Sequence, residues 1–169
     1  MYRRTRRIRR IRRRLIIFKI MAKLPPNPLI SEVLKATSNA KTKDQKVKIL
    51  QEHKTDALLA VLIWNYDDTA KSNLPEGDVP YNVSDAPAGT NYHTRLVVEY
   101  KKLYHFIQGA STLGRTKRES MFIQMLEGLH KDEAEIICLT KDGKLQDKYR
   151  ITHNVVKEAF PEITWGNRS

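Results

Sequence analysis

The stretch DALLAVLIWNY, Asp56 to Tyr66, decides the fold. Its apolar residues run nearly all the way round a helix, as they do in a helix enclosed on every side by other elements, and Asp56 stands at its start. This segment is therefore read as the most buried helix of the chain. Upstream, Thr42 and Gln45 form a capping-box pattern ahead of KVKIL, since hydroxyl and amide can serve the first-turn N–H groups. Earlier still, Pro25, Pro26 and Pro28 end any N-terminal extension, and Leu29, Ile30, Val33 and Leu34 follow at helical spacing.

Downstream the pattern changes. Residues 67–93, DDTAKSNLPEGDVPYNVSDAPAGTNYH, carry Pro, Gly, Asn and Asp without helical period, and a connection this long is expected to wrap the domain or carry a contact. Tyr81 and Tyr92 are expected to pack back onto the helices. Thr94 then caps a helix containing Leu96, Val97, Tyr100, Leu103, Tyr104 and Ile107, running to about Gly109. Thr116 and Glu119 form a second capping box before a helix whose core stripe is Met121, Phe122, Met125, Leu126 and Leu129. Asp132 and Glu135 read as the cap of the next helix, with Ala134, Ile136, Ile137, Cys138 and Leu139 on its buried face and Gly143 at its end. Thr152 caps HNVVKEAF, which Pro161 stops. No strand-like alternation competes, so residues 21–169 read as one all-α, compact multi-helix domain with a long loop at 67–93.

The length of 169 residues and the 40% apolar content suit one globular domain. The net charge of +12 is unevenly placed: nine arginines and one lysine fall within residues 1–20 with no acid, which leaves residues 21–169 at about +2. The segment MYRRTRRIRRIRRRLIIFKI is thus a basic extension. Its apolar run is short, interrupted by Lys19 and without a small-residue cleavage site, unlike a secretory signal. A phosphate-gripping arm and a membrane-surface anchor are both open readings. The preferred one is translational: arginine pairs arise from a purine-rich ribosome-binding sequence read in frame, and MAKLPPNPLISEVL makes an ordinary start at Met21.

One cysteine, Cys138, allows no intramolecular disulfide and suits a reducing cytoplasm; in EIICL it reads as a small buried hydrophobe. The five histidines are dispersed, and no metal, cofactor or nucleophile pattern emerges. Asp67 and Asp68 read as a solvated cap. No run approaches the roughly 20 apolar residues of a membrane span. Two basic loops remain. In GASTLGRTKRES, Gly109 and Gly114 allow close backbone approach, and Arg115, Lys117 and Arg118 surround a helix start whose free amides favour an anion. The second, KDGKLQDKYR, joins the last two helices.

From about Lys41 to Ile163 the chain resembles the N-terminal DNA-binding domain of ATP-dependent DNA ligases, especially the short version in T-even phage ligase. The resemblance lies in KVKILQEHKTDALLAVLIWNY, STLGRTKRESMFIQMLEGL and EAEIICLTKDGKLQDKYRITHNVVKEAFPEI, taken in order, with Phe160, Pro161 and Ile163 matching the family's ending. It implies a helical module on the minor-groove side of duplex DNA that holds phosphates without reading sequence. Carried over by position, Gly114, Arg115, Thr116 and Lys117 match one contacting helix start. Lys141, Gly143, Lys144 and Thr152 lie in or beside the second contacting loop, with Lys148 and Arg150 as basic neighbours.

Lys141-Asp142-Gly143-Lys144 also looks like a ligase nucleophile motif, but the register is wrong. The ligase lysine stands two residues before Asp-Gly, where this chain has Thr140, and Leu145 occupies the place of the later arginine. The chain therefore reads as a non-catalytic module that needs no cofactor. Its expected role is sequence-independent binding of duplex DNA, accessory to phage DNA replication, repair or packaging in the host cytoplasm, alongside a phage or host replication protein. The alternative is a protein-interaction or virion-associated module that uses the same fold without DNA.

Overall fold

Threonines set the starts of three helices. The Thr42 hydroxyl accepts from the Gln45 N–H at 3.2 Å, Thr55 from Leu58 at 3.1 Å and Thr152 from Val155 at 3.4 Å. The computed structural model describes residues 24–84 and 94–168. Within them the order is α1 Ile30–Asn39, α2 Lys43–Glu52, α3 Asp56–Tyr66 and α4 Leu96–Glu99, which passes directly into a 3₁₀ segment, Tyr100–Phe106. Then come α5 Arg115–Gly128, α6 Lys131–Lys141, α7 Leu145–Lys148 and α8 His153–Ala159. Among the described residues there is no strand, only an isolated bridge between Ser72 and Ile107, so the chain is all-α. The basic extension, Tyr92 and the rest of 85–93 lie outside the described residues.

One core cluster takes residues from every helix. Helix α3 buries Ala57, Leu58, Val61, Leu62 and Trp64 and packs on α4, the 3₁₀ segment and α6, so the opening segment is the central helix its composition requires. Helix α1 lies on α2, and α2 on α8. No helix among the described residues is long and apolar enough to cross a membrane.

The segment after Thr94 departs from its expected helix. Only its first turn is α-helical; from Tyr100 the chain tightens to three residues per turn and ends at Phe106, short of Gly109. That period places Leu103 and Phe106 in the core and turns Tyr104 out to 52% exposure. Phe106 stacks on Trp64 and meets Phe122 edge-on, with ring centroids 6.3 and 5.0 Å apart. Thr94 is not the cap: Arg95 occupies that position, and the Thr94 hydroxyl donates to Glu99 at 2.9 Å.

Helix α6 is capped differently from its expected Asp132–Glu135 box. His130 precedes the helix, and its ring nitrogen accepts from the Asp132 N–H at 3.1 Å. Glu135 instead pairs with Lys148. Beside them Glu133 is completely buried. One carboxylate oxygen accepts from the Ile30 N–H at the start of α1, the other from the Leu96 N–H at the start of α4, both at 3.0 Å. A single side chain thus serves two helix starts besides standing in the first turn of its own. Burial pushes its pKa upward against those two donors.

The described part of the long loop, residues 67–84, lies against the helices. Tyr81 packs against the core and bonds Cys138, and burial raises that phenol to about 12 and the thiol to about 11. Cys138 is half-buried and protonated at neutral pH, not poised for chemistry. Asp67, expected as a solvated cap, is buried and holds the C-terminal tail: its carboxylate accepts from the Thr69 N–H and hydroxyl at 2.9 and 2.7 Å, from the Gly166 N–H at 2.9 Å and from the Arg168 guanidinium at 2.9 Å. Burial pushes this carboxyl up, but the bonds from Thr69, Gly166 and Arg168 outweigh it and bring the pKa down to about 2 from an ordinary 3.8. A depressed carboxyl stabilises the fold above its unfolded pKa and loses that effect as pH falls from about 4 toward 2. The contribution is about 2 kcal/mol at neutral pH. Asp67→Asn is expected to lower stability by that amount at pH 7, with wild type and variant converging in thermal melts as the pH approaches 2.

Candidate nucleic-acid interface

The first candidate segment starts where the 3₁₀ turn ends. Gly109 adopts φ +76°, a left-handed conformation that glycine accepts without strain, and Gln108 N–H donates to the Lys71 carbonyl at 2.8 Å. Ser111 then bonds His105 Nδ1 at 2.7 Å and accepts from the Leu113 N–H at 3.2 Å, fixing the approach to α5. The cap residue is Gly114, not Thr116: its backbone is extended and no side chain caps the helix. Thr116 lies inside the first turn and is exposed, because the chain enters the helix at Arg115. Glu119, freed from the expected box, accepts from Arg115 at 2.8 Å and holds that guanidinium above its ordinary pKa.

Arg118 turns back and donates to the Leu113 carbonyl at 2.9 Å, while its Nε is buried without an acceptor. Lys117 is exposed. The result is a fourteen-residue helix whose first-turn amides no side chain serves, flanked by Arg115 and Lys117 in solvent.

In the second segment Lys141-Asp142-Gly143-Lys144 is a helix terminator. Gly143 at φ +67° donates to the Thr140 carbonyl at 3.0 Å, and the Lys144 N–H reaches back to Leu139 at 2.8 Å, the paired bonds of a Schellman cap. Lys141, expected as a phosphate contact, is not available for one. Its side chain is 1% exposed, and its ammonium donates to the Pro75 and Gly77 carbonyls at 2.7 and 3.1 Å and to the Asp142 carboxylate at 2.5 Å. Asp142 in turn accepts from the Gly77 N–H at 3.2 Å. The pair straps residues 74–80 across the end of α6. Burying an ammonium is tolerable only with all three partners in place, so Lys141 is a structural anchor.

The remaining cations of this segment are exposed and lie at its two ends. Lys144 is 3.6 Å from Glu76 on the strap, and Lys148 pairs with Glu135. The intervening stretch forms the short helix α7, missed by pattern alone; Asn65 of α3 holds it by accepting from the Leu145 N–H at 2.9 Å and donating to Gln146 at 3.0 Å. Arg150 lies beside the α1–α2 corner: its N–H donates to Ser38 at 2.9 Å and its carbonyl accepts from Lys46. Its guanidinium is exposed and has no ion-pair partner among the described residues. Thr152, besides capping α8, is exposed next to it.

The strap joins the two segments. Pro75, Val79, Glu119, Phe122 and Lys141 line a small cavity of about 140 Å³, so the first turns of α5 and the end of α6 flank the same loop. Lys46 and Glu76 are members of this surface that sequence alone did not single out. No cluster of three or more His, Cys, Asp or Glu among the described residues could hold a metal ion.

No curated protein and no solved structure matches the chain. A family of unknown function, DUF6433, matches residues 33–147, from within α1 to within α7. Because that match covers more than half of the 169 residues, the chain belongs to the DUF6433 family.

Proposed function

We propose that this protein holds duplex DNA through its phosphates, without reading base sequence, and that it is an accessory, non-catalytic module in phage DNA replication, repair or packaging. The observation that carries the reading is the start of α5. Uncapped amides at Gly114–Lys117 present partial positive charge to solvent, and exposed Arg115 and Lys117 reinforce it. Lys144, Lys148 and Arg150 supply the second row, and the ligase-domain resemblance assigns both segments to phosphate contact. Three of these cations have acidic partners, yet every such pair is well exposed: Arg115–Glu119 at 77% and 36%, Lys144–Glu76 at 51% and 77%, Lys148–Glu135 at 39% and 47%. Exposed pairs contribute only ~0–1 kcal/mol, so exchanging a carboxylate for a phosphate costs little.

The same pairs favour a second reading, a protein-interaction module working with a phage or host replication protein or a virion component. Residues 21–169 carry only about +2, a weak field for a polyanion. A salt series separates the two. Duplex affinity of the full chain and of residues 21–169 should fall linearly with log salt, and Lys144→Ala with Arg150→Ala should reduce the magnitude of the slope by about 2, equally for unrelated sequences. Absence of binding by residues 21–169 at low salt would exclude the domain as the DNA-holding part. An unchanged slope in the double variant would exclude the second segment.

A further inference from the structure

An open groove of about 450 Å³ lies on the far side of the loop that leads to α5. Its floor includes Ile63, Trp64, Leu103 and Ile107, and its rim Lys101 and Tyr104. Tyr104 is the notable member, an aromatic ring left 52% exposed in a domain that buries Phe106 and Phe122 completely. It is also held in place. His105 packs against it with ring centroids 3.9 Å apart, and Ser111 fixes that imidazole at 2.7 Å. Lys101 is exposed and has no ion-pair partner among the described residues. Arg168 also lines the groove, but its guanidinium is taken up by Asp67 and by the Thr164 carbonyl.

We propose that this groove takes an unpaired nucleobase stacked on Tyr104, with the strand's phosphate meeting Lys101. A fixed aromatic face beside a free cation is the arrangement that holds single strands regardless of base, since every base offers a π face and every nucleotide a charge. Continuity with the proposed phosphate site supports this occupant over a peptide. Ala110 belongs to the groove wall and Gly114, four positions on, opens α5, so at most ~14 Å of chain separates the two. The proposal rests on the DNA reading above for the duplex arm, and it gives that site a substrate class: duplex with a single-stranded extension in preference to blunt duplex.

The test compares three fluorescent probes against the full chain: a blunt duplex, the same duplex with a short oligothymidine extension, and the oligothymidine alone. The extended duplex is expected to bind about tenfold more tightly than the blunt one, the effect of roughly one stacked base. Tyr104→Ala should abolish that ratio and weaken oligothymidine binding while leaving blunt-duplex affinity unchanged, and Tyr104→Phe should keep the ratio because the ring, not the hydroxyl, stacks. Equal affinities for blunt and extended duplex, or a Tyr104→Ala ratio identical to wild type, would overturn the proposal. If blunt duplex fails to bind but oligothymidine binds in a Tyr104-dependent way, the phosphate reading of α5 falls and the groove assignment stands. Failure of oligothymidine with Tyr104-dependent capture of an acidic aromatic peptide would assign the groove to a protein instead.

Discussion

Glu133→Ala is expected to remove about 4 kcal/mol of unfolding free energy, because it leaves two buried backbone donors without acceptors at ~1–3 kcal/mol each. The donors are the Ile30 and Leu96 N–H groups, which reach the two oxygens of this one carboxylate at 3.0 Å. Set against a typical domain stability of ~5–15 kcal/mol, the loss is large enough to unfold much of the population at moderate urea. Glu133→Gln should fall between variant and wild type: its amide oxygen serves one donor, while its NH₂ faces the other. Urea denaturation gives the energies. Hydrogen exchange should show the Ile30 and Leu96 amides losing protection first, and unchanged stability in the alanine variant would mean the carboxylate is not holding those helix starts.

The second large effect is expected at Lys141. Removing its ammonium leaves the partly buried Asp142 without its cation and the Pro75 and Gly77 carbonyls without their donor. Breaking one side of a buried pair costs ~3–5 kcal/mol. Lys141→Ala should therefore destabilise the domain by about 3 kcal/mol and expose residues 74–80 to proteases. Lys144→Ala, one exposed cation further along the same motif, should change stability by no more than ~0.5 kcal/mol. Lys141→Met combined with Asp142→Asn should recover part of the loss, since the orphaned charge goes with its partner. A phosphate-contact role would give the opposite pattern, with stability unmoved and DNA affinity reduced.

This contrast shows where sequence reasoning stops. The starts and ends of α3 and α8 were readable because period and cap residues are local: Asp56 stands at the first position of α3, one after the Thr55 cap that the sequence reading passed over, and Thr152 and Pro161 act on neighbours within four positions. Lys141 was read as exposed because its partners come from carbonyls 64 and 66 residues away, which no local pattern announces. Glu133 did leave a trace, since it sits four residues before Ile137 and seven before Thr140, on the buried side of α6. An acid in phase with a core stripe is a request for distant donors. Tyr104 was read with the apolar set and Phe106 passed over because a 3.6-residue period was assumed where the chain runs at three. In the second candidate loop the glycine and cations were legible, but not their pairing with Glu76 and Glu135, because those partners arrive through tertiary structure.

The double grip of Glu133 also sets a timetable for synthesis. The bond between Ile30 and Glu133 spans 103 positions of sequence, and that between Leu96 and Glu133 spans 37. At ~5–20 residues per second, a ribosome needs roughly 5–20 s after making the start of α1 before it makes the side chain that completes that start. For that interval the first helices exist as a nascent chain with an unfinished core. Until Glu133 is made, the Ile30 N–H lacks the acceptor that finishes the start of α1, and α2 waits longer still for α8 to pack on.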